Sequence, residues 1–344
     1  MRLVSEGKVK LMLRATHRSA RLALTLTLLC CIASPQPSHA NFGILRSTDD
    51  GKSWKQVFRG DFDVDHLAID EDGRILASTM IVTPHRIFSE LYASLAGSDS
   101  WNKLTPPGIG PKGGLILDLL ATPDGSVFAL LQRRILRTDD GGTTWTVVPS
   151  TPPAIPRSLK LGPDNSLLGF TDAGLYQSTD KGKSWHSIGF EDQRLDGGLT
   201  LSDGTILVTF QCKLFAASVP QDRSFEWSVP EDACPNSDQF ASDTQGLLFA
   251  NTPGGVLKSD ATGKTWKKVL AFKNEVVPLG IAVAPGGEVL AVVLKEASSP
   301  TLFRSTDNGE TWQMVQELGP GITVSQFAFA PNGTVYAGLT SLGD

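Results

Sequence analysis

Arg46-Ser47-Thr48-Asp49-Asp50-Gly51-Lys52-Ser53-Trp54 is the stretch from which the rest of the chain can be read, because its fixed positions return three more times. The copies are Thr138-x-Asp140-x-Gly142-x-Thr144-Trp145, Ser178-x-Asp180-x-Gly182-x-Ser184-Trp185 and Ser305-x-Asp307-x-Gly309-x-Thr311-Trp312. A fifth, Ser259 to Trp266, keeps Gly263, Thr265 and the tryptophan but has Ala261 at the aspartate position. A short carboxylate such as Asp49 can accept hydrogen bonds from the backbone N–H groups of its own turn, and Gly51 supplies the positive φ of a tight turn. The flanking hydroxyls offer further local bonds, and the tryptophan opens the next strand with a large apolar plate. The unit therefore predicts a β-hairpin turn, and it gives Asp49, Asp140, Asp180 and Asp307 a structural role rather than a catalytic or metal-binding one.

Working outward, all seven tryptophans fall on one ladder, from Trp54 through Trp101, Trp145, Trp185, Trp227 and Trp266 to Trp312, at intervals of 39 to 47 residues. Around Trp101 the box has decayed to Ser94-x-Ala96-x-Ser98-x-Ser100, and before Trp227 it is stretched. A second ladder of seven turns lies between: Asp72-Gly73, Asp124-Gly125, Asp164-Asn165, Asp203-Gly204, Gln245-Gly246, Gly286-Gly287 and Asn332-Gly333. Short apolar runs follow each turn and precede each box, which is the pattern of paired strands. The unit is strand, glycine turn, strand, loop, strand, box turn, tryptophan strand: four antiparallel strands in about 43 residues, the size of a propeller blade. An all-β, seven-bladed β-propeller over 41–344 is expected, as a single domain. Its first segment supplies only the last two strands of a blade and its last segment only the first two. Pairing Ile44–Arg46 with Val335–Ala337 would close the ring and remove an open edge.

The repeat resembles the Asp-box, or BNR repeat, of sialidase-like propellers, where the box lies on the turn between third and fourth strands, away from the ligand face. A sialidase would imply six blades, an arginine triad and a tyrosine nucleophile; seven units are counted here. Tyr92 and Tyr176 share a column with Leu45, Leu136, Phe215, Leu257 and Phe303, while Tyr336 shares one with Phe128 and Phe249, so all three tyrosines read as blade packing. Seven blades behind a leader, with the box spelled as at Arg304–Trp312, are similar to the photosystem II stability/assembly factor family. That resemblance implies a non-catalytic assembly factor that binds a nascent membrane-protein complex.

At the N-terminus, Arg14, Arg18 and Arg21 precede the apolar run Leu22–Ala33, and Ser38-His39-Ala40 has the small-x-small ending of a secretory signal peptide. Residues 1–40 are expected to be removed, leaving a periplasmic or extracellular protein not inserted in a membrane. The remainder carries 25 basic and 35 acidic residues, a balance that argues against nucleic acid as a partner. Cys212 and Cys234 are the two cysteines beyond the leader. In an oxidising compartment they are a disulfide candidate, and two buried free thiols are the alternative.

Signatures of catalysis are few. Gly-Lys-Ser/Thr occurs at Gly51, Gly182 and Gly263, but Arg46, Gln177 and Lys258 stand where a phosphate loop needs its first glycine. His66, His85 and His186 show no zinc spacing, and no Gly-x-Ser-x-Gly elbow is present. No cofactor is expected. The two ladders of turns share one face of the disc, so the loops of the other face are where a site belongs. They carry Arg86, Arg133, Arg134, Arg157 and Arg194, suited to a carboxylate-bearing partner. They also carry Asp61, Asp63 and Asp65, whose alternation could set three carboxylates on one side and hold Ca²⁺; a solvated acidic loop is the alternative. Two functions follow: a monomeric protein-binding or assembly scaffold, or an Asp-box glycoside hydrolase or carbohydrate-binding propeller taking a glycan on that face.

Overall fold

The computed structural model describes residues 42–60, 62–211, 213–217, 224–227, 240–260, 265–274, 276–295 and 299–342. The leader, Asp61, Ala261, Cys212 and Cys234 lie outside these residues. No helix occurs among the described residues; they form seven four-stranded antiparallel sheets, the blades of a seven-bladed β-propeller.

The closing blade combines both ends of the chain, with β1 (Phe42–Ser47) and β2 (Lys55–Gly60) beside β27 (Ile322–Phe329) and β28 (Val335–Ser341), in the order β2-β1-β28-β27. Blade one is β3 (Asp63–Ile69), β4 (Ile75–Thr83), β5 (Arg86–Ser94) and β6 (Asn102–Leu104). Blade two is β7 (Ile116–Ala121), β8 (Val127–Leu131), β9 (Arg134–Thr138) and β10 (Thr146–Val147). Blade three is β11 (Pro156–Leu161), β12 (Leu167–Thr171), β13 (Gly174–Ser178) and β14 (His186–Gly189). Blade four is β15 (Gly197–Thr200), β16 (Ile206–Phe210), β17 (Lys213–Ala217) and β18 (Ser224–Trp227). Blade five is β19 (Phe240–Ser242), β20 (Leu248–Thr252), β21 (Gly255–Ser259) and β22 (Trp266–Ala271). Blade six is β23 (Val276–Val283), β24 (Val289–Lys295), β25 (Thr301–Ser305) and β26 (Gln313–Glu317). The expected pairing at the seam is present, with Ile44 opposite Gly338, Leu45 opposite Ala337 and Arg46 opposite Tyr336.

Core packing lies between blades rather than within them. Each of the seven interfaces holds its own buried cluster, such as Leu76, Leu91, Ile116 and Leu136 between blades one and two, or Leu207, Leu214, Leu248 and Leu257 between four and five. The tryptophans follow one rule: Trp54, Trp101, Trp145, Trp185, Trp266 and Trp312 each pack into the interface with the preceding blade. The tyrosine columns arise from register. Tyr92 faces Ala77, Tyr176 faces Gly169, Leu136 faces Ala129 and Phe303 faces Ala291, so a large third-strand residue lies over a small second-strand one.

The first strands are innermost, and their axial edge would leave backbone groups unpaired were it not for side chains from neighbouring blades. Gln326 accepts from Leu67 N at 2.9 Å and donates to Leu67 O at 3.1 Å, while Asp118 Oδ2 accepts from Leu159 N at 3.0 Å. Both latches follow a β-bulge, at Val324/Gln326 and Ile116/Asp118. The bulge turns the next side chain out of the blade and toward its neighbour. Asn251 Nδ2, from the second strand β20 in unbroken register, reaches Gly280 O at 3.0 Å.

Candidate functional site

The box turns close on themselves. Asp49 Oδ1 accepts from Ser47 Oγ at 2.8 Å and Ser53 N at 2.9 Å, and Oδ2 from Ser53 Oγ at 2.6 Å. Asp140, Asp180 and Asp307 repeat this pattern. Gly51 has φ +82°, the left-handed geometry glycine adopts without strain. The donated hydroxyl of the last Ser or Thr, and then its backbone N–H, hold the carboxyl of each of these aspartates down at about 2. Every carboxylate oxygen is engaged by its own turn, which is the geometry of a structural clasp. In the fifth box, Asp260 accepts from Thr265 Oγ1 at 2.5 Å; the neighbouring residue assumes part of the task that Ala261 cannot perform.

These turns share a face with the glycine turns, since box residue Lys181 of blade three is ion-paired with Asp124 in the glycine turn of blade two. The opposite face bears the arginines, which fall into two groups. Arg86 and Arg134 are the first residues of β5 and β9 rather than loop residues, and both lean on the loop between blades one and two. Arg86 Nη1 donates to Pro111 O at 3.1 Å, and the Arg134 guanidinium lies over Gly108, where an added Cβ would sit 2.9 Å from Nη1. That loop is itself ordered, with Gly110 N donating to Ser89 O at 2.9 Å and Gly114 N to Gly108 O at 3.1 Å. Lys112 in that loop and Arg133 before β9 are both exposed.

The second group is Arg157, in β11, and Arg194, in the loop before β15. Partial burial and the nearby Arg194 charge both lower the Arg157 pKa, opposed by Asp196 and Asp172. Arg157 nevertheless stays a cation at neutral pH. Apolar groups stand among these charges. Val82 and Ile87 are direct cross-strand neighbours, 65% and 40% exposed, and Ile155 is 52% exposed two residues from Arg157. Their prominence has a cause: β4 and β5 run nine residues each against five for β8, β9, β12 and β13. The blade-one hairpin therefore rises above that of blade two by four residue pairs, or about 13 Å.

The acidic segment is arranged differently from a regular alternation. A bulge between Val64 and His66 interrupts the period at Asp65. The Asp63 carboxylate accepts from Ser341 N at 2.7 Å and Ser341 Oγ at 2.9 Å, tying β3 to the end of β28. Among the described residues no group of three or more His, Cys, Asp or Glu is placed to hold a metal ion. Tyr92 donates to Glu90 Oε2 at 2.7 Å, and burial followed by that carboxylate pushes its phenol upward, the opposite of what a phenolate nucleophile requires. Tyr336 is fully buried and accepts from Gly97 N at 3.2 Å.

Comparison with known proteins agrees with this architecture. The BNR/Asp-box repeat family model matches residues 303–314. No curated protein matches the chain in sequence. Among solved structures, YCF48 bound to D1 peptide is similar at 17% identity and TM-score 0.60, over 81% of this chain and 94% of that one. A streptogramin B lyase is similar at 14% identity and TM-score 0.60, over 88% of this chain and 98% of that one. The extracellular domain of the hybrid two-component system BT4673 of B. thetaiotaomicron is similar at 13% identity and TM-score 0.60, over 89% of this chain and 40% of that one. At these identities the likeness is one of fold, and the neighbours include a peptide-bound propeller, a lyase and the extracellular domain of a hybrid two-component system.

Proposed function

We propose that the protein is an exported, non-catalytic propeller that captures a protein partner on the face opposite the box turns, as a binding or assembly scaffold. The observation that carries this reading is the interleaving of Val82, Ile87 and Ile155 with Arg86, Lys112, Arg133, Arg134, Arg157 and Arg194 over blades one to four. Apolar groups, two of them raised on the blade-one hairpin, on a face that carries six Lys and Arg suit a segment that is both acidic and apolar. The apolar pair supplies contact area, and the guanidiniums pair with carboxylates. In YCF48 a related propeller has a peptide bound, which supports the use of such a disc for protein capture. The basic, apolar and small-residue succession of residues 14–40 supports the export part of this reading.

The test is affinity capture from the exported fraction with the wild type and an Arg133→Glu/Arg134→Glu variant of unchanged melting temperature. The variant should lose the principal partner, with the difference largest at low salt. Equal capture by both would overturn the assignment of the site.

A further inference from the structure

On the turn face an open cavity of about 330 Å³ lies between the first-strand ends of blades four to six and Phe329 of the closing blade. We propose that this mouth is a second site, distinct from the arginine face, and that it takes a neutral pyranoside. Asp243, only 8% exposed, lines the cavity. Its Oδ1 accepts from Gln245 N and Leu247 N, both at 2.8 Å, which organises the glycine turn, but its Oδ2 has no partner among the described residues.

Blade one provides the contrast. Asp70 occupies the same turn position and its Oδ1 accepts from Arg74 N at 2.7 Å, yet its Oδ2 faces the Arg74 guanidinium at 3.8 Å. In blade five that residue is Leu247, and the second oxygen is left over. The turn uses only one oxygen of this carboxylate, and the other is open to the solvent of the mouth rather than held by a protein donor.

The remaining lining defines the ligand. Ser202 and Thr244, both exposed, and the half-buried Ser242 line the cavity with hydroxyls that have no protein partner among the described residues, and Phe329 and Pro285 add apolar surface. A wholly apolar ligand would strand four polar groups. An anion would meet Asp243 with no Lys or Arg among the described lining residues. A sugar ring satisfies both requirements: its hydroxyls give and take bonds with Asp243 and the three hydroxyls, while its C–H face lies on Phe329. The volume is at the low end of ligand pockets, which span about 300–1,000 Å³, and suits a single ring.

Saturation-transfer NMR and calorimetry on the whole chain, with methyl β-D-glucopyranoside, methyl β-D-galactopyranoside and methyl α-D-mannopyranoside, test this directly. At least one should bind with millimolar affinity. Asp243→Asn keeps the Oδ1 acceptor of the turn and should weaken binding about tenfold with the melting temperature unchanged. Phe329→Ala should also weaken it, and Asp70→Asn should not. Absence of binding by all three glycosides, undiminished binding by Asp243→Asn, or preference for glucuronate or ethylammonium over the neutral rings would each overturn the proposal.

Discussion

A carboxylate held by its own turn titrates with the turn, and this makes the boxes readable by acid. Asp49, Asp140, Asp180 and Asp307 have folded pKa values of about 2 against an ordinary 3.8. Between those limits the unfolded chain binds more protons than the folded one, so acid favours unfolding. The stabilisation is complete above about pH 4 and is lost as pH falls toward 2. The melting temperature should therefore fall steeply across that window, and Asp140→Asn, which cannot titrate, should flatten part of the fall. Asp140→Ala, losing three acceptor contacts, should cost about 1–3 kcal/mol in chemical denaturation while leaving partner capture intact. Lost capture with unchanged stability would contradict a structural clasp. The four intact boxes were legible from spacing alone. Asp260 was not, because its part depends on Thr265 being within reach across the turn rather than on its place in the pattern. Asp243 was equally hidden, since a turn aspartate with one idle oxygen reads no differently from one with two engaged.

At the level of strands and hairpins, periodicity located the pairs but not their lengths. Met80–Thr83 continues the apolar character of β4, and nothing local states that the second strand of blade two stops four residues earlier. The arginines consequently read as loop residues, whereas Arg86, Arg134 and Arg157 belong to strands. Bulges were also invisible, because an extra residue shows only against a partner strand, and it is the bulge at Val64/His66 that breaks the alternation of the acidic segment. The raised hairpin makes a direct prediction. Val82→Ser with Ile87→Thr should leave the folding stability within about 1 kcal/mol of wild type, both side chains being exposed. Partner capture should fall severalfold, and unaltered capture would remove the hairpin from the interface.

Over the whole molecule, the count of blades and the closure came directly from two ladders and their phase, because a ring of identical units has only one way to use a half-blade at each end. The latches around the axis were not readable, as Gln326 and Leu67 are far apart in sequence and meet only once the ring exists. Cutting the chain before Ile322 removes β27 and β28 and should replace the single cooperative melt by a broad one, with aggregation through the exposed edge of β1. A single sharp transition in that truncation would mean the ring does not depend on its seam. The same seam imposes a schedule. Gly43 pairs with Leu339, so β1 and β2, which leave the ribosome ahead of the other strands of the propeller, must wait for β28 before their blade can form. Through that interval β1 and β2 are a hairpin without a sheet, open to proteases and chaperones, and the time from first residue to last sets how long the protein remains at their disposal.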